Sequence, residues 1–374
     1  MRLLIQPGDG VRALVQGISS AKSSVEIVIF RFDQREVELA LASAVSRGVA
    51  VSALIASTNS AGEENLRKLE LRLLGAGVTV SRTQNDLVRY HSKFMIVDRR
   101  ELYLLAFNWT HQDINRSRSF ALITKAMDVV HEAVRLFEAD TKRIPYEIAP
   151  KKLIVSPVNA RKALSAYIKG AKKSLVIYDP QVSDHAMVHL LEERAKAGVK
   201  VRIIGRLACK IPGVEAHKLP QLRLHTRTMV RDGKLGFLGS QSLREAELDA
   251  RREVGLIFRD AKTVSRLLET FESDWEQVQH RAQEGDRQEP AVKLAKKVAR
   301  AVSKEMPAVA PIVTGAVQAA VGELGELELA ADEVEEAVKG AVKQAVKEAV
   351  RDAVEDAMEK ATARAELAAE ERVS

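Results

Sequence analysis

Two stretches of the chain repeat one pattern of histidine, cation and aspartate. The first reads His91-Ser92-Lys93, then Asp98 after four residues, then, after six more, Leu105-Ala106-Phe107-Asn108. The second reads His225-Thr226-Arg227, Asp232 and Gly239-Ser240-Gln241-Ser242 at the same spacings, 134 residues further on. On a strand, residues two apart share a face, so His91 points with Lys93 and His225 with Arg227. Brought together, the half-sites make a pocket of two imidazoles and two cations. Cleaving a phosphodiester needs a nucleophile, a proton donor for the leaving alkoxide and positive charge on the non-bridging oxygens. These four side chains supply all three. No compact Asp/Glu/His cluster marks a metal site, and the chemistry calls for no cofactor.

The repeat extends beyond the histidines. At an offset of 150, Pro7, Ala13, Leu14, Ile18, Ala21, Lys22, Ser24 and Ile27 fall on Pro157, Ala163, Leu164, Ile168, Ala171, Lys172, Ser174 and Ile177. By the histidines the offset has dropped to 134, and there Phe137, Glu138 and Asp140 fall on Phe271, Glu272 and Asp274. The second copy is thus 16 residues shorter between its central strands and its histidine. Self-similarity of this kind means duplication. Each copy alternates strand and helix. In the first, strands are expected over Val25 to Phe30 and Ala50 to Ala56, and helices over Glu36 to Ser46, Asn65 to Leu74 and Met127 to Lys142. That alternation predicts an α/β fold with mixed, mostly parallel sheets flanked by helices, the copies related by a pseudo-two-fold axis. The expected divisions are 1–147, 148–285 and a tail over 286–374.

The duplicated motif resembles the phospholipase D superfamily, whose signature is His-x-Lys, four residues, Asp, six residues and Gly-Ser-x-Asn, present twice. The resemblance covers about residues 3 to 280. It implies a covalent phosphohistidine intermediate, with His91 as nucleophile and His225 as general acid. It implies that Lys93, Arg227, Asn108 and Ser242 hold the phosphate, and that Asp98 and Asp232 support the site, as a carboxylate orienting a neighbouring ring nitrogen would. Departures from the signature are Arg227 in place of Lys, Leu105-Ala106 in place of Gly-Ser, and Ser242 in place of Asn. Gly239-Ser240 keeps the second Gly-Ser, and Ser240 and Glu253 join Asn108 and Ser242 as candidate substrate-binding residues. Many members carry a Glu after each motif; Glu253 matches in the second copy, and Ser119 stands at its counterpart in the first. Bacterial cardiolipin synthases share the two-motif layout. The reading is a phosphodiesterase or phosphatidyltransferase acting on phospholipid. The alternatives are a nuclease of the same superfamily and a decayed phosphate-binding scaffold.

Other candidates are secondary. His111 and His217 fall in expected loops, and His185 and His189 near a helix start. Trp109 either lines the pocket mouth or packs. Arg31 leaves the first central strand at its C-terminal end, where α/β sites collect, and Tyr178-Asp179-Pro180 is the corresponding loop of the second copy.

The chain's 374 residues carry a formal charge of +7, unevenly distributed. From Pro290 onward there are 12 Lys/Arg against 16 Asp/Glu, leaving 46 against 35 in the body. A basic body suits an anionic partner, with a phospholipid or membrane surface first. Nucleic acid ranks below it, because only 4% of residues are aromatic and single-strand binders stack bases on rings. The tail holds a basic amphipathic stretch, Ala291 to Ser303, and an Ala-Val pair every four residues from Ala337 to Val354. That stripe drifts about 40° per repeat on a helix; the tail reads as a solvated alanine-rich helix or a partly disordered segment, with self-association through a right-handed twist or a membrane-surface anchor through the basic stretch as the sharper alternatives. The N-terminus lacks the apolar length of a signal peptide, and the run from Met306 to Gly322 is broken by two prolines, so no membrane span is expected. Cys209 stands alone. The expected location is the cytoplasm, peripheral to the inner face of the membrane.

Overall fold

The computed structural model describes residues 1–57, 63–147 and 153–279; the tail readings lie outside them. In the first repeat the order is β1 (Arg2–Gln6), α1 (Arg12–Ser20), β2 (Ser24–Ile29), α2 (Arg35–Ser46), β3 (Ala50–Ile55), α3 (Glu63–Gly75), β4 (Thr79–Arg82), β5 (Arg89–Tyr90), β6 (Phe94–Val97), β7 (Glu101–Leu105), α4 (His111–Asn115), β8 (Ser117–Thr124) and α5 (Met127–Lys142). The second continues with β9 (Leu153–Val155), α6 (Ala160–Lys169), β10 (Ser174–Val182), α7 (His185–Lys196), β11 (Lys200–Leu207), β12 (Val214–His217), β13 (Arg223–Leu224), β14 (Arg227–Arg231), β15 (Leu235–Gly239), α8 (Glu245–Asp249), β16 (Arg251–Arg252) and β17 (Val254–Phe258). A helix over 261–279, α9, follows.

The main path of each sheet has seven strands: β1-β8-β7-β6-β2-β3-β4 and β12-β11-β10-β14-β15-β17-β9. Val25, Ile27 and Ile29 on one face of β2 and Val28 on the other are all buried, as a strand covered on both sides requires. One face of each sheet packs on its own helices: α1, α2 and α3 in the first repeat, α6 and α7 in the second. The other faces share a single core, in which Phe94, Ile96, Leu104 and Phe120 meet Val176, Val230, Leu238 and Leu256 together with side chains of α5 and α9. The expected α/β class with two like repeats holds.

The sheets are less parallel than the strand–helix alternation predicted. Parallel pairing within each main path is confined to β2-β3-β4 and β10-β11-β12. The rest is antiparallel, and in each repeat the two motif strands are joined by a tight hairpin. Asp98 and Arg99 join β6 to β7 with φ of 52° and 51°, and Asp232 and Gly233 join β14 to β15 with 53° and 66°. Two successive left-handed residues match the right-handed twist of a hairpin.

Short strands tie the repeats reciprocally. β16 pairs with β5 and β13 with β8. Immediately after them, His91 N–H donates to the Arg252 carbonyl at 2.8 Å and His225 N–H to the Arg118 carbonyl at 3.0 Å. Buried ion pairs obey the same exchange, Arg118 with Asp274 and Arg252 with Asp140. Each partner lies 134 positions from its counterpart, the signature of a two-fold relation.

Candidate active site

The crossing strands bring both histidines to the junction of the repeats, with 7% and 6% of His91 and His225 exposed. Each ring has a carboxylate from the opposite repeat beside its Nδ1. Both Glu253 oxygens lie 3.0 Å from His91 Nδ1. Asp113 Oδ2 lies 3.0 Å from His225 Nδ1, off the line of an ideal hydrogen bond. A carboxylate on Nδ1 fixes the tautomer and leaves Nε2 for chemistry.

The cations sit against this pair. Lys93, fully buried, donates from Nζ to the His91 carbonyl at 2.6 Å and lies 5.6 Å from the centre of the Phe30 ring, whose edge meets His91. Arg227 donates from Nε to Ser242 Oγ at 3.1 Å, and its Nη1 is buried without a partner. Asn108 donates from N and Nδ2 to Asp113 Oδ2, and its Oδ1 is likewise buried and unpaired. Unmet buried hydrogen-bonding groups are costly. An orphan guanidinium N–H beside two imidazoles suits an incoming phosphate oxygen.

Burial dominates the electrostatics. It pushes Glu253 up to about 7 against the attraction of Lys93 and Arg227, and Lys93 down to about 7 against that of Glu253. It holds His91 well below its ordinary value, aided by Lys93 and Arg227. His225 is pushed down to about 4 by burial despite Asp113. Burial would raise Asp113 too, but contacts with His225, Asn108 and Arg223 outweigh it and hold the carboxyl well below the usual range.

Two sequence expectations are corrected. Asp98 and Asp232 touch neither ring. Asp98 accepts N–H donors from Lys22, Ser23 and Ser24, and Asp232 from Lys172, Lys173 and Ser174, at 2.7–3.2 Å. Each sits in the hairpin at the far end of its motif strand, where it anchors the loop entering the first central strand. Asp98→Ala leaves those donors without their acceptor. It is expected to cost about 1–2 kcal/mol, a fall of several degrees in thermal midpoint, with turnover retained well below that midpoint. Burial raises the pKa of Asp98, but the donated hydrogen bonds bring it below its ordinary value overall. Its contribution is therefore present at neutral pH and lost as pH falls below about 4. Melting curves of the variant against pH check both points.

The departures from the signature are absorbed by packing. Gly239 pairs with Gly255, and a Cβ on it would lie 2.4 Å from Gln241 Oε1. Leu105 instead pairs with Ala121 and faces the outer core. Ser240 Oγ accepts from Val254 N–H, an extra bond that Ala106 lacks, while Ala106 N–H donates to the Phe120 carbonyl as Ser240 N–H does to that of Val254. Trp109 is fully buried and packs edge-on to Phe32. His111 and His185 begin helices and His217 lies on β12; His189 is exposed beside Glu192 and Glu193. Asp179 lies on β10, buried and pushed up by burial to about 7.

Sequence reasoning missed Asp113 and its counterpart Glu247. The signal was present: each lies five residues past the end of its motif, 134 apart. Ser242 N–H donates to Glu247 as Asn108 N–H donates to Asp113.

Paired histidines, each beside a carboxylate of the opposite repeat, thus stand at the junction of a two-repeat α/β frame. The family model described as "Cardiolipin synthase, PLD-like domain" matches residues 14–141 and again 164–275. The chain belongs to that family of the phospholipase D superfamily. It is 33% identical over 149 residues to a mouse protein named mitochondrial cardiolipin hydrolase, covering 40% of this chain and 63% of that one. Among solved structures, polyphosphate kinase from Porphyromonas gingivalis superposes with a TM-score of 0.62 at 19% identity, covering 73% of this chain and 50% of that one. Phosphatidylserine synthase from Haemophilus influenzae Rd KW20 gives 0.54 at 13% identity, covering 74% and 85%. Both likenesses are of fold. Among the described residues no helix is long and apolar enough to cross a membrane.

Proposed function

We propose that the protein is a phosphodiesterase or phosphatidyltransferase acting on anionic phospholipid at a membrane surface, through a phosphohistidine on His91. The observation that carries the reading is the pair of buried histidines, each beside a carboxylate of the opposite repeat, with Lys93 and the orphan N–H of Arg227 ready for a phosphate. In the first step the Nε2 lone pair of His91 attacks phosphorus, the ester P–O bond breaks, and the alkoxide takes a proton from His225. In the second, water or an alcohol attacks, the P–N bond breaks, and His225 takes the attacking group's proton. Asp113 and Glu253 divide these roles. A carboxylate held strongly acidic stabilises the imidazolium an acid must be. One pushed up to about 7 orients a ring that must stay neutral to attack. His225 is neutral in the empty site, so the substrate's own negative charge must help to raise its pKa.

The test uses phosphatidylglycerol vesicles, mass spectrometry of the lipids, and a His91→Ala control. Phosphatidic acid would indicate hydrolysis and diphosphatidylglycerol transfer, and either should vanish in the control. Vesicle binding without product in both proteins would sink the catalytic reading in favour of a phosphate-binding scaffold. Turnover of single-stranded DNA alone would favour the nuclease reading.

A further inference from the structure

The two-fold relation is broken at one place. Helix α3 joins β3 to β4, whereas β11 and β12 are joined by residues 208–213 without a helix. With α3 comes a cleft of about 380 Å³ beside the histidine pair, bounded by α3, the end of β2 and the start of α4. Arg31, Lys68, Arg72 and Arg223 line it, against the carboxylates of Asp33 and Asp113. Those two are already engaged, Asp33 with His111 N–H and Asp113 with His225, Asn108 and Arg223. Arg72 is held in place by Glu38 at 3.2 Å and by the Phe32 carbonyl, yet 44% of its side chain stays exposed. Asn108, whose Nδ2 donates to Asp113 Oδ2, also lines the cleft.

The side on which the cleft opens gives it a role. Asp113 lines the cleft and buttresses His225, so the cleft adjoins the ring that protonates the departing alcohol. We propose that it binds a second phosphate carried by that alcohol, making the enzyme selective for phosphodiesters with an anionic leaving group. This rests on His225 acting as the acid of the proposed reaction. A cluster of fixed cations discriminates by charge at a distance from the scissile bond, which a symmetric site would not do for one end of the substrate alone.

The test compares two soluble diesters, glycerophosphoglycerol and its derivative phosphorylated on the leaving glycerol. The full chain is expected to show about a tenfold higher kcat/KM for the second, and Lys68→Ala/Arg72→Ala to lose most of that preference. Lys68→Glu is a second variant should the double one unfold. Vesicles holding the corresponding diacylated lipids show whether the phosphate is read on a lipid or on any soluble alcohol: the same preference in both formats assigns it to the phosphate itself, and a preference in vesicles alone assigns it to the lipid-borne group. Equal turnover of both substrates by parent and variants in both formats overturns the cleft assignment alone. Turnover of neither substrate by the parent overturns the proposed function as well.

Discussion

A His91→Ala variant is expected to lose turnover by about 10⁴-fold or more on every phosphodiester, because removing the proposed covalent nucleophile removes both steps that would pass through it. His225→Ala should behave differently. Its loss should be of similar size on an alkyl ester, where the leaving alkoxide needs a proton. It should be far smaller in the first step on a p-nitrophenyl ester, whose leaving group departs as the anion. The second step still lacks its base, so phosphorus label should accumulate on His225→Ala protein, bound through an acid-labile P–N bond, and be absent from His91→Ala protein. The environments of the rings set this direction. Burial and nearby cations hold His91 neutral, while His225 lies beside the carboxylate held most acidic in the pocket. Label on His225 rather than His91 would reverse the roles. No label on either, with turnover intact in both variants, would remove the histidines from the chemistry.

Asp113→Ala is expected to cost about 10³-fold in kcat on an alkyl ester, comparable in kind to losing the carboxylate of a catalytic triad, with a smaller effect on KM. The reason is specific to this chain. The second repeat supplies Glu253 to His91, but the matching position of the first holds Ser119, whose Oγ donates to the His225 carbonyl at 2.6 Å. The carboxylate beside His225 is supplied instead by position 113, in the first turn of the neighbouring short helix. Adding Ser119→Glu to Asp113→Ala should therefore recover a measurable part of the loss, because position 119 stands to His225 as Glu253 does to His91. A merely structural role for Asp113 would not be repaired from position 119, and failure of the double variant to recover while folded would reject the role of Asp113 as the carboxylate partner of His225. The pH profile gives a second readout. Loss of Asp113 should shift the requirement for protonated His225 to lower pH, since an ionised neighbour favours the charged ring.

Much of this could be read from the sequence because it rests on local rules. The strand–helix alternation follows from side-chain periodicity, and the structure places β2, β3, α2, α3 and α5 within a residue or two of the segments expected from it. The duplication was visible as a fixed offset, and with it the meeting of His91, Lys93, His225 and Arg227. The parallel fraction of the sheets was overestimated because the hairpin at Asp98-Arg99 carries no glycine signal and the Asp232-Gly233 signal of the second repeat was not used; the left-handed Asp98 is held by three backbone donors on its carboxylate.

By itself the sequence determined the repeats, their elements and the four residues of the paired motif, since each follows from spacing along the chain. Only the tertiary structure decided which carboxylates serve the histidines. Glu253 and Asp113 reach rings 162 and 112 residues away, and that reach depends on how β16 and β13 cross into the opposite repeat. It likewise moved Asp98 and Asp232 from the site to the hairpins, and it made the side of the pocket nearest α3 basic. Strand crossing and helix docking are set by long-range packing, which no local pattern of residue types encodes.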